Sequence, residues 1–301
     1  MAITSFLVLS GVFLAVAFVA GNNLSACVGT IVGARILGRQ AAKVFATLGI
    51  AVGLLLQGHF MAYTIQAIFP VENTLITAGI LFLTVVAFAL AKAMRAPLSL
   101  SMALVALLLG LSTSHNLPTN YVYTRSVIAM WLIAPVSALV FGFAFLRVID
   151  RIQIENVWRR IATYKFLQIA LSFFAAFVLG ANTIGLVVAL AGFEPSTMLT
   201  AIVAIIIGSM LFSDGELRRV GQEFFSMRYA NSLVALFVST LFVELATFFA
   251  IPLSSTQALS AGILGTGTSY RVKLVSLRPF LVIVIAWVIV PTLSFAVGYL
   301  L

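Results

Sequence analysis

Charge is the first thing that this sequence has little of. Only 8% of its 301 residues are Asp, Glu, Lys or Arg, whereas 62% are hydrophobic. Because so few charges cannot cover the surface of a soluble domain, this composition excludes a soluble protein. Cysteine and histidine are scarce as well, with one and two copies. An intrachain disulfide is therefore excluded. We also expect no metal site, because the usual zinc or iron–sulfur ligand set is missing.

Long runs without any charged residue make up most of the chain. A helix needs about 20 apolar residues to cross roughly 30 Å of hydrocarbon, and several runs reach that length. The runs are apolar on every face and lack the alternation that a membrane β-barrel requires. The sequence therefore predicts an all-α polytopic protein that crosses the cell membrane several times. The predicted spans are 3–20, 41–58, 73–94, 122–147, 165–181, 197–213, 231–250 and 279–301, with shorter or interrupted segments at 97–112 and 252–268.

Basic residues outnumber acidic ones and give a net charge of +9 at pH 7. Nucleic-acid binding would need them along one face, interleaved with aromatic residues, but they fall in short groups between apolar runs. We therefore expect loops beside a lipid bilayer and no nucleic-acid partner. Residues 3–20 carry no Lys or Arg before them, which favours a first spanning helix over a cleaved signal peptide.

Three segments recur in the same order and at nearly the same spacing. AGNN at 20–23 aligns with GANT at 180–183, an offset of 160. The segment 96–110 matches 251–265 in eight of fifteen positions, an offset of 155, and WLIAP at 131–135 returns as WVIVP at 287–291, an offset of 156. This order predicts two transmembrane repeats, 1–147 and 165–301. Residues 148–164 mix charged and apolar side chains, which is typical of an amphipathic linker.

Proline followed by hydroxyl side chains begins the second motif of each repeat. Pro at a helix start loses no backbone hydrogen bond, and the Ser or Thr after it lies beside unpaired N–H groups. Two such starts facing one another would bind a tetrahedral oxyanion without a buried Lys or Arg. The alternative is a Pro-kinked helix whose hydroxyls bond to its own carbonyls. The candidate binding residues are Ser99 and Ser101 in the first copy, and Ser254, Ser255, Thr256 and Gln257 in the second.

Polar side chains also occur inside otherwise apolar spans. Asn22 and Asn23, with Asn182 and Thr183 in the second copy, lie among small residues. We expect them to break the helix and expose backbone groups to ligands, so they are candidate substrate-binding residues. Helix–helix contact through an amide hydrogen bond is the alternative. Glu244 is the acidic residue most clearly within a span, and we expect it to be paired, protonated or part of an ion path, which makes it the coupling candidate.

These motifs resemble the signatures of the inorganic phosphate transporter (PiT) family, which includes phosphate permeases and some sulfate permeases. That family carries GANDVANxxG near the start of each half and PVSTTHA later in each half. Here GAN at 180–182 and PLSSTQA at 252–258 are partial matches, and RQA at 39–41 is similar to the family's first half. The resemblance covers nearly the whole chain. It implies a helical transporter of two inverted-topology repeats with interrupted or re-entrant helices, and a substrate held where the two signatures converge.

The chain departs from the family at several signature positions. Asn23 and Thr183 stand in place of the motif Asp, and Met102 and Gln257 in place of the motif His. In the family those Asp residues are tied to sodium coordination and phosphate binding, so either sodium or a proton remains open as the coupling ion. Fully ionised sulfate presents only acceptors and would suit neutral donors, which keeps sulfate as the alternative substrate.

The sequence thus favours a secondary active phosphate permease, with no catalytic residue, no cofactor and a homodimer as one possible assembly. A sulfate permease is the nearest alternative. An intramembrane lipid-phosphate enzyme belongs to a different class, but no His or Lys base lies near residues 254–256 in the sequence. A third alternative, suggested by the loss of both motif Asp residues, is a sensor that binds anions without transporting them.

Overall fold

The structure, a computed structural model, describes residues 2–70, 73–93, 99–151, 156–213, 229–271 and 278–301, which form helices and no strand. A 3₁₀ turn, Gly58–Met61, joins α2 to α3, and a π-helical turn, Gly180–Ile184, joins α7 to α8. The helices are α1 (Ala2–Gly33), α2 (Arg39–Gln57), α3 (Ala62–Ile68), α4 (Thr74–Ala93), α5 (Leu100–Ser114), α6 (Tyr121–Arg151), α7 (Val157–Leu179), α8 (Gly185–Ala191), α9 (Pro195–Leu211), α10 (Tyr229–Phe248), α11 (Ser255–Arg271) and α12 (Arg278–Leu300).

Within the described residues, five helical stretches are long and apolar enough to cross a membrane, and these are Ile3–Gly33, Arg39–Ile68, Tyr121–Arg151, Val157–Ala191 and Tyr229–Phe248. By contrast, α5 has 15 residues, and at a rise of 1.5 Å per residue it reaches only roughly 22 Å. This length is less than the roughly 30 Å of hydrocarbon that a spanning helix must cross. The prediction of an all-α polytopic membrane protein with interrupted helices is confirmed.

The two faces of α6 show how the fold meets lipid. Large apolar side chains lie exposed on one face, and these are Leu132, Val136 and Val140. Small residues lie buried on the other face, namely Ala134, Ala138 and Gly142. Small side chains allow two helix backbones to approach closely. In a membrane this close packing drives helix association, because lipid is as apolar as the protein interior and the hydrophobic effect contributes little.

Equivalent helices of the two repeats begin 155 to 157 residues apart. The pairs are α1 with α7, α2 with α9, α4 with α10, α5 with α11, and α6 with α12. Each repeat therefore has the same order of long, short and interrupted helices. The chain folds as two inverted-topology repeats.

The repeats interlock because their helices pack on those of the other repeat. The first helix of each repeat contacts the second helix of the other, α1 with α9 and α7 with α2. The short motif helix of each repeat likewise contacts the closing helix of the other, α5 with α12 and α11 with α6. Glycines permit this approach, since a Cβ on Gly110 would lie 2.2 Å from the Phe295 carbonyl oxygen and one on Gly265 would lie 2.1 Å from that of Leu139.

The expectation that both asparagine motifs break their helices is wrong for the first copy. Helix α1 continues through Asn22 and Asn23 to Gly33, because the amide of Asn22 donates to Asn23 Oδ1 at 3.2 Å and the Ser25 hydroxyl donates to the Asn22 carbonyl. These local bonds supply partners without unwinding the backbone. In the second copy, residues 180–184 widen into the π-helical turn instead.

Other sequence-based boundaries differ from the observed helices. The predicted linker 148–164 is helical over 148–151 and 157–164, as the end of α6 and the start of α7, while 152–155 lie outside the described residues. Pro97 and Leu98, within the segment 97–112, also lie outside them. Lys43, a basic residue near the start of α2, is 1% exposed, and its Nζ donates to the Met210 carbonyl at the end of α9.

Candidate functional site

Helical structure stops between α10 and α11. The intervening residues, 249–254, form an unwound segment that includes Pro252, Leu253 and Ser254 of the second Pro-Leu-Ser motif. Ala250 has a φ of +56°, in the left-handed region that residues other than glycine rarely adopt. Because an unwound backbone inside a membrane protein needs hydrogen bonds from elsewhere, the partners of this segment define how it is positioned.

Asn182, in the π-helical turn, holds the unwound segment from one side. Its side chain is fully buried, and its Nδ2 donates to the Ile251 carbonyl and to Thr247 Oγ1, both at 3.0 Å. Its Oδ1 accepts a hydrogen bond from the Leu253 N–H at 3.0 Å. The amide predicted to bind substrate therefore bonds to the backbone that precedes α11.

Three side chains of the first repeat hold the same segment from the other side. The Trp131 indole Nε1 donates to the Pro252 carbonyl at 3.1 Å. The hydroxyls of Thr64 and Tyr123 both donate to the Ala250 carbonyl. The first repeat thereby fixes the conformation of a segment that belongs to the second.

The start of α11 gathers four of the predicted binding residues. The Ser254 hydroxyl accepts a hydrogen bond from the Gln257 N–H at 3.3 Å, as an N-cap does, and lies 3.0 Å from Thr256 Oγ1. Ser255 Oγ is a buried atom with no hydrogen-bond partner among the described residues. Gln257, in place of the family's His, is 2% exposed. A cluster of neutral donors thus surrounds the positive end of this helix.

The start of α5 is less polar but is linked to the same region. Ser99 precedes the helix, and its buried Oγ has no hydrogen-bond partner within the ranges that the structure covers. Ser101 is 1% exposed, and its hydroxyl donates to Thr183 Oγ1 at 3.5 Å. Thr183 follows Asn182, which bonds to Leu253, so two residues of the π-helical turn connect the motif helices of both repeats.

Asn22 and Asn23 are half-buried on α1 and bond to one another. One turn further along α1, Ala26 and Cys27 line a small cavity together with Ser255. The cavity volume of about 20 Å³ is room for a single water molecule. Helix α1 therefore approaches the start of α11. The described hydrogen bonds at the start of α11 include none from the side chains of Asn22 and Asn23.

Glu244 lies four residues before the end of α10 and is 6% exposed. Its Oε1 accepts a hydrogen bond from the Gln57 amide, Nε2 to oxygen 3.0 Å, at the end of α2. Glu244 Oε2 and Gln57 Oε1 are both buried, and neither has a partner among the described residues. The carboxyl group thus faces an amide across the boundary between the repeats.

Sequence reasoning missed Gln57, Thr64, Tyr123 and Thr247, whose partners are far away in the chain. The sequence singled out Trp131 only as part of the repeated motif WLIAP, and not as a donor to the unwound segment. The recurrence of WxIxP was the available signal. Nothing in that motif indicates a contact with Pro252, because the contact depends on the tertiary structure.

Comparison with known proteins supplies the family. A model described as the phosphate transporter family matches residues 19–163 and again residues 153–298. The chain belongs to the phosphate transporter family. The double match agrees with the helix correspondence described above, and it covers nearly all of both repeats. Because this is a family of transporters, the chain is a multi-pass transport protein of the cell membrane and not an enzyme, which sets aside the lipid-phosphate enzyme.

Individual relatives agree with this assignment. The chain is 23% identical over 286 residues to a protein of Methanocaldococcus jannaschii named "putative phosphate permease", covering 93% of this chain and 91% of that protein. A solved structure described as "the sodium-dependent phosphate transporter" superposes with a TM-score of 0.85 at 14% identity, over 99% of this chain and 98% of the other. The family member described here therefore has the same overall fold as that transporter.

Proposed function

We propose that this chain is a secondary active permease that carries inorganic phosphate across the membrane, with the anion held where the helix starts of α5 and α11 converge. The observation that supports this site is the connection between the two motifs. Ser101 bonds to Thr183, and Asn182 bonds to the backbone directly before Ser254. Two helix starts joined in this way direct their partial positive charges to one region.

The hydroxyls at these helix starts suit an anion. Ser99 and Ser255 each carry a buried oxygen without a partner among the described residues, and a buried hydroxyl without a hydrogen bond costs about 1–3 kcal/mol. A tetrahedral oxyanion would accept hydrogen bonds from both groups. The N–H groups of the first turn add further donors, because the first four have no partner within their helix.

Phosphate is preferred as the substrate because the family is a phosphate transporter family and the relatives above are named for phosphate. Sulfate remains the alternative, since the replacement of both motif Asp residues by Asn23 and Thr183 leaves neutral groups that donate to any oxyanion. Protonated phosphate also donates a hydrogen bond. The oxygens of Asn23 and Thr183 would have to accept it.

Uptake into proteoliposomes tests the proposal. We expect labelled phosphate to enter vesicles that contain the purified protein faster than empty vesicles, under an imposed sodium or proton gradient. Replacement of Ser254 and Thr256 by Ala should reduce that uptake at least about tenfold, because each lost charge-assisted hydrogen bond weakens anion binding by about 1.5–3 kcal/mol. Ser126→Ala is the matched control, since that exposed hydroxyl bonds only to its own helix at Val122.

The outcomes separate the candidate functions. Faster uptake of sulfate than of phosphate would replace the substrate and keep the site. Anion-dependent thermal stabilisation without uptake under any gradient would identify a sensor. Equal uptake by the wild type and the double Ala variant would reject the site. The homodimer and the lack of a cofactor remain predictions, which light scattering in detergent and elemental analysis would test.

A further inference from the structure

The buried carboxyl of Glu244 forms a hydrogen bond between the two repeats. It belongs to α10 of the second repeat, and its partner Gln57 ends α2 of the first repeat. The contact joins one oxygen of the carboxyl to one nitrogen of the amide. The remaining oxygens, Glu244 Oε2 and Gln57 Oε1, are buried acceptors that find no donor among the described residues.

A proton supplies what this pair lacks. An ionised carboxylate removed from water costs several kcal/mol unless charges or several donors compensate it. Here one neutral amide is the only donor to the carboxyl in the described part of the chain. A protonated carboxyl needs no counter-charge. Its O–H also supplies the donor that the two unpartnered oxygens, Glu244 Oε2 and Gln57 Oε1, lack. Carboxyl groups in such positions mark substrate, ion or proton paths in membrane proteins.

Several elements surround the carboxyl of Glu244 and carry titratable or charged residues. Helix α10 is packed against α6, α7, α11, the 3₁₀ turn and the π-helical turn, and α2 provides Gln57. His59, two residues after Gln57, is exposed, and Tyr123 bonds to Ala250. The other titratable or charged residues of these elements are Arg39, Lys43, Tyr121, Arg125, Arg147, Asp150, Arg151, Arg159, Arg160, Tyr164, Lys165, Tyr229, Tyr270 and Arg271, and no described hydrogen bond joins any of them to Glu244.

The carboxyl also lies on the face of α10 that meets the anion site. Thr240, Glu244 and Thr247 are spaced by four and three residues, which places them on one side of the helix. Thr247 Oγ1 accepts a hydrogen bond from Asn182, and Thr240 lines the small cavity beside Ser255. An anion at the start of α11 would therefore be within one or two helical turns of this carboxyl.

We infer that the Glu244–Gln57 pair is the proton-binding site that couples proton movement to anion movement. This inference rests on the proposed transport function. The anion site is built from neutral groups, so a carboxylate nearby repels the anion, and protonation of Glu244 removes that repulsion. Proton binding and anion binding then favour one another by equal amounts, as thermodynamic linkage requires. The proton binds to the Glu244 carboxylate oxygen in the loaded form and is released from it after the anion has left.

Two transport modes separate coupling from anion binding. Wild-type protein in proteoliposomes should accumulate phosphate under a proton gradient, acid on the uptake side, and a trapped pH dye should report proton entry with the anion. Glu244→Gln, which keeps the shape but cannot release a proton, should lose at least about tenfold in gradient-driven accumulation and proton entry. It should keep phosphate exchange at equal pH within about twofold, with little dependence on pH.

Further variants guard against unfolding and non-specific effects. Gln57→Leu removes the amide donor that supports the ionised carboxyl, and we expect the pH of half-maximal exchange to move upward. Glu194→Gln, an exposed carboxyl before α9, is the matched control and should behave as wild type. Full gradient-driven accumulation by Glu244→Gln, or accumulation driven by sodium with no proton entry, would overturn the inference. Absence of all anion exchange in the wild type would instead overturn the proposed function itself.

Discussion

A single side chain, Asn182, decides how the second motif is presented. Its amide makes three hydrogen bonds to two elements, and all of them are within the protein. Because its donors already contact Thr247 and Ile251, the residue positions the start of α11 even if an anion also approaches the π-helical turn. The pattern G-A-N in the sequence therefore has a structural use that does not require ligand contact.

Replacement of Asn182 by Ala tests this use. The change leaves the Ile251 carbonyl and the Leu253 N–H buried without a partner, and each such group costs about 1–3 kcal/mol. We expect a lower thermal unfolding midpoint in detergent together with reduced phosphate uptake. Asn156→Ala, which removes the N-cap of α7, should cost only about 1 kcal/mol and leave uptake intact. An unchanged midpoint for Asn182→Ala would show that other contacts hold the segment.

The unwound segment between α10 and α11 is the element that creates the proposed site. It stops one helix and lets the next begin inside the protein, with its unpaired N–H groups directed toward the interior. Four side chains from distant parts of the chain, Thr64, Tyr123, Trp131 and Asn182, provide the hydrogen bonds that the backbone gives up. A re-entrant helix is stable here because these donors replace those of a continuous helix.

The backbone at Ala250 offers a direct test of this element. Its φ of +56° is strained for alanine and unstrained for glycine. We expect Ala250→Gly to leave the unfolding free energy unchanged or to raise it by up to about 1 kcal/mol. Ala129→Gly, at an exposed position inside α6, should lower it by about 1 kcal/mol. Thermal melts of both variants provide the comparison, and destabilisation by Ala250→Gly equal to that of the control would contradict the strain.

At the scale of the whole molecule, the motif helix of each repeat packs mainly on a helix of the other repeat. Neither repeat packs its own motif helix on its own closing helix as the main contact. Instead α5 contacts α12, and α11 contacts α6. The site residues are consequently positioned by both halves of the chain, since Trp131 of the first repeat bonds to Pro252 of the second. A movement of one repeat against the other would change both motif helices together.

Gly110 and Gly265 occupy equivalent positions where the motif helices contact the closing helices of the other repeat. A methyl group at either position would meet a carbonyl oxygen of the other repeat at 2.2 or 2.1 Å, so the helices must separate. We expect Gly110→Ala and Gly265→Ala each to lower stability by about 1–3 kcal/mol, measured as the thermal midpoint in detergent. Gly79→Ala in α4 has open space and should be neutral or stabilising. Wild-type midpoints for both variants would argue against the close contact.

Much of the fold was predictable because the signals were local or periodic. Uncharged runs predicted the spanning helices, and the recurrence of the asparagine motif, of PLS and of WxIxP predicted two repeats in the same order. Helix ends were less predictable. Asn22 and Asn23 suggested a break that α1 does not have, since amide side chains that bond locally leave the backbone helical.

The sequence by itself determined the class of protein, the repeat and the identity of the hydroxyl-rich motifs, because these follow from composition and from order along the chain. Only the tertiary structure decided which motif residue touches which. Glu244 was recognisable as an intramembrane carboxyl, but Gln57 became its partner through a contact between residues 187 positions apart. Such contacts depend on how the repeats interlock. No local pattern encodes that geometry, because the energies that fix it come from helix faces brought together in space.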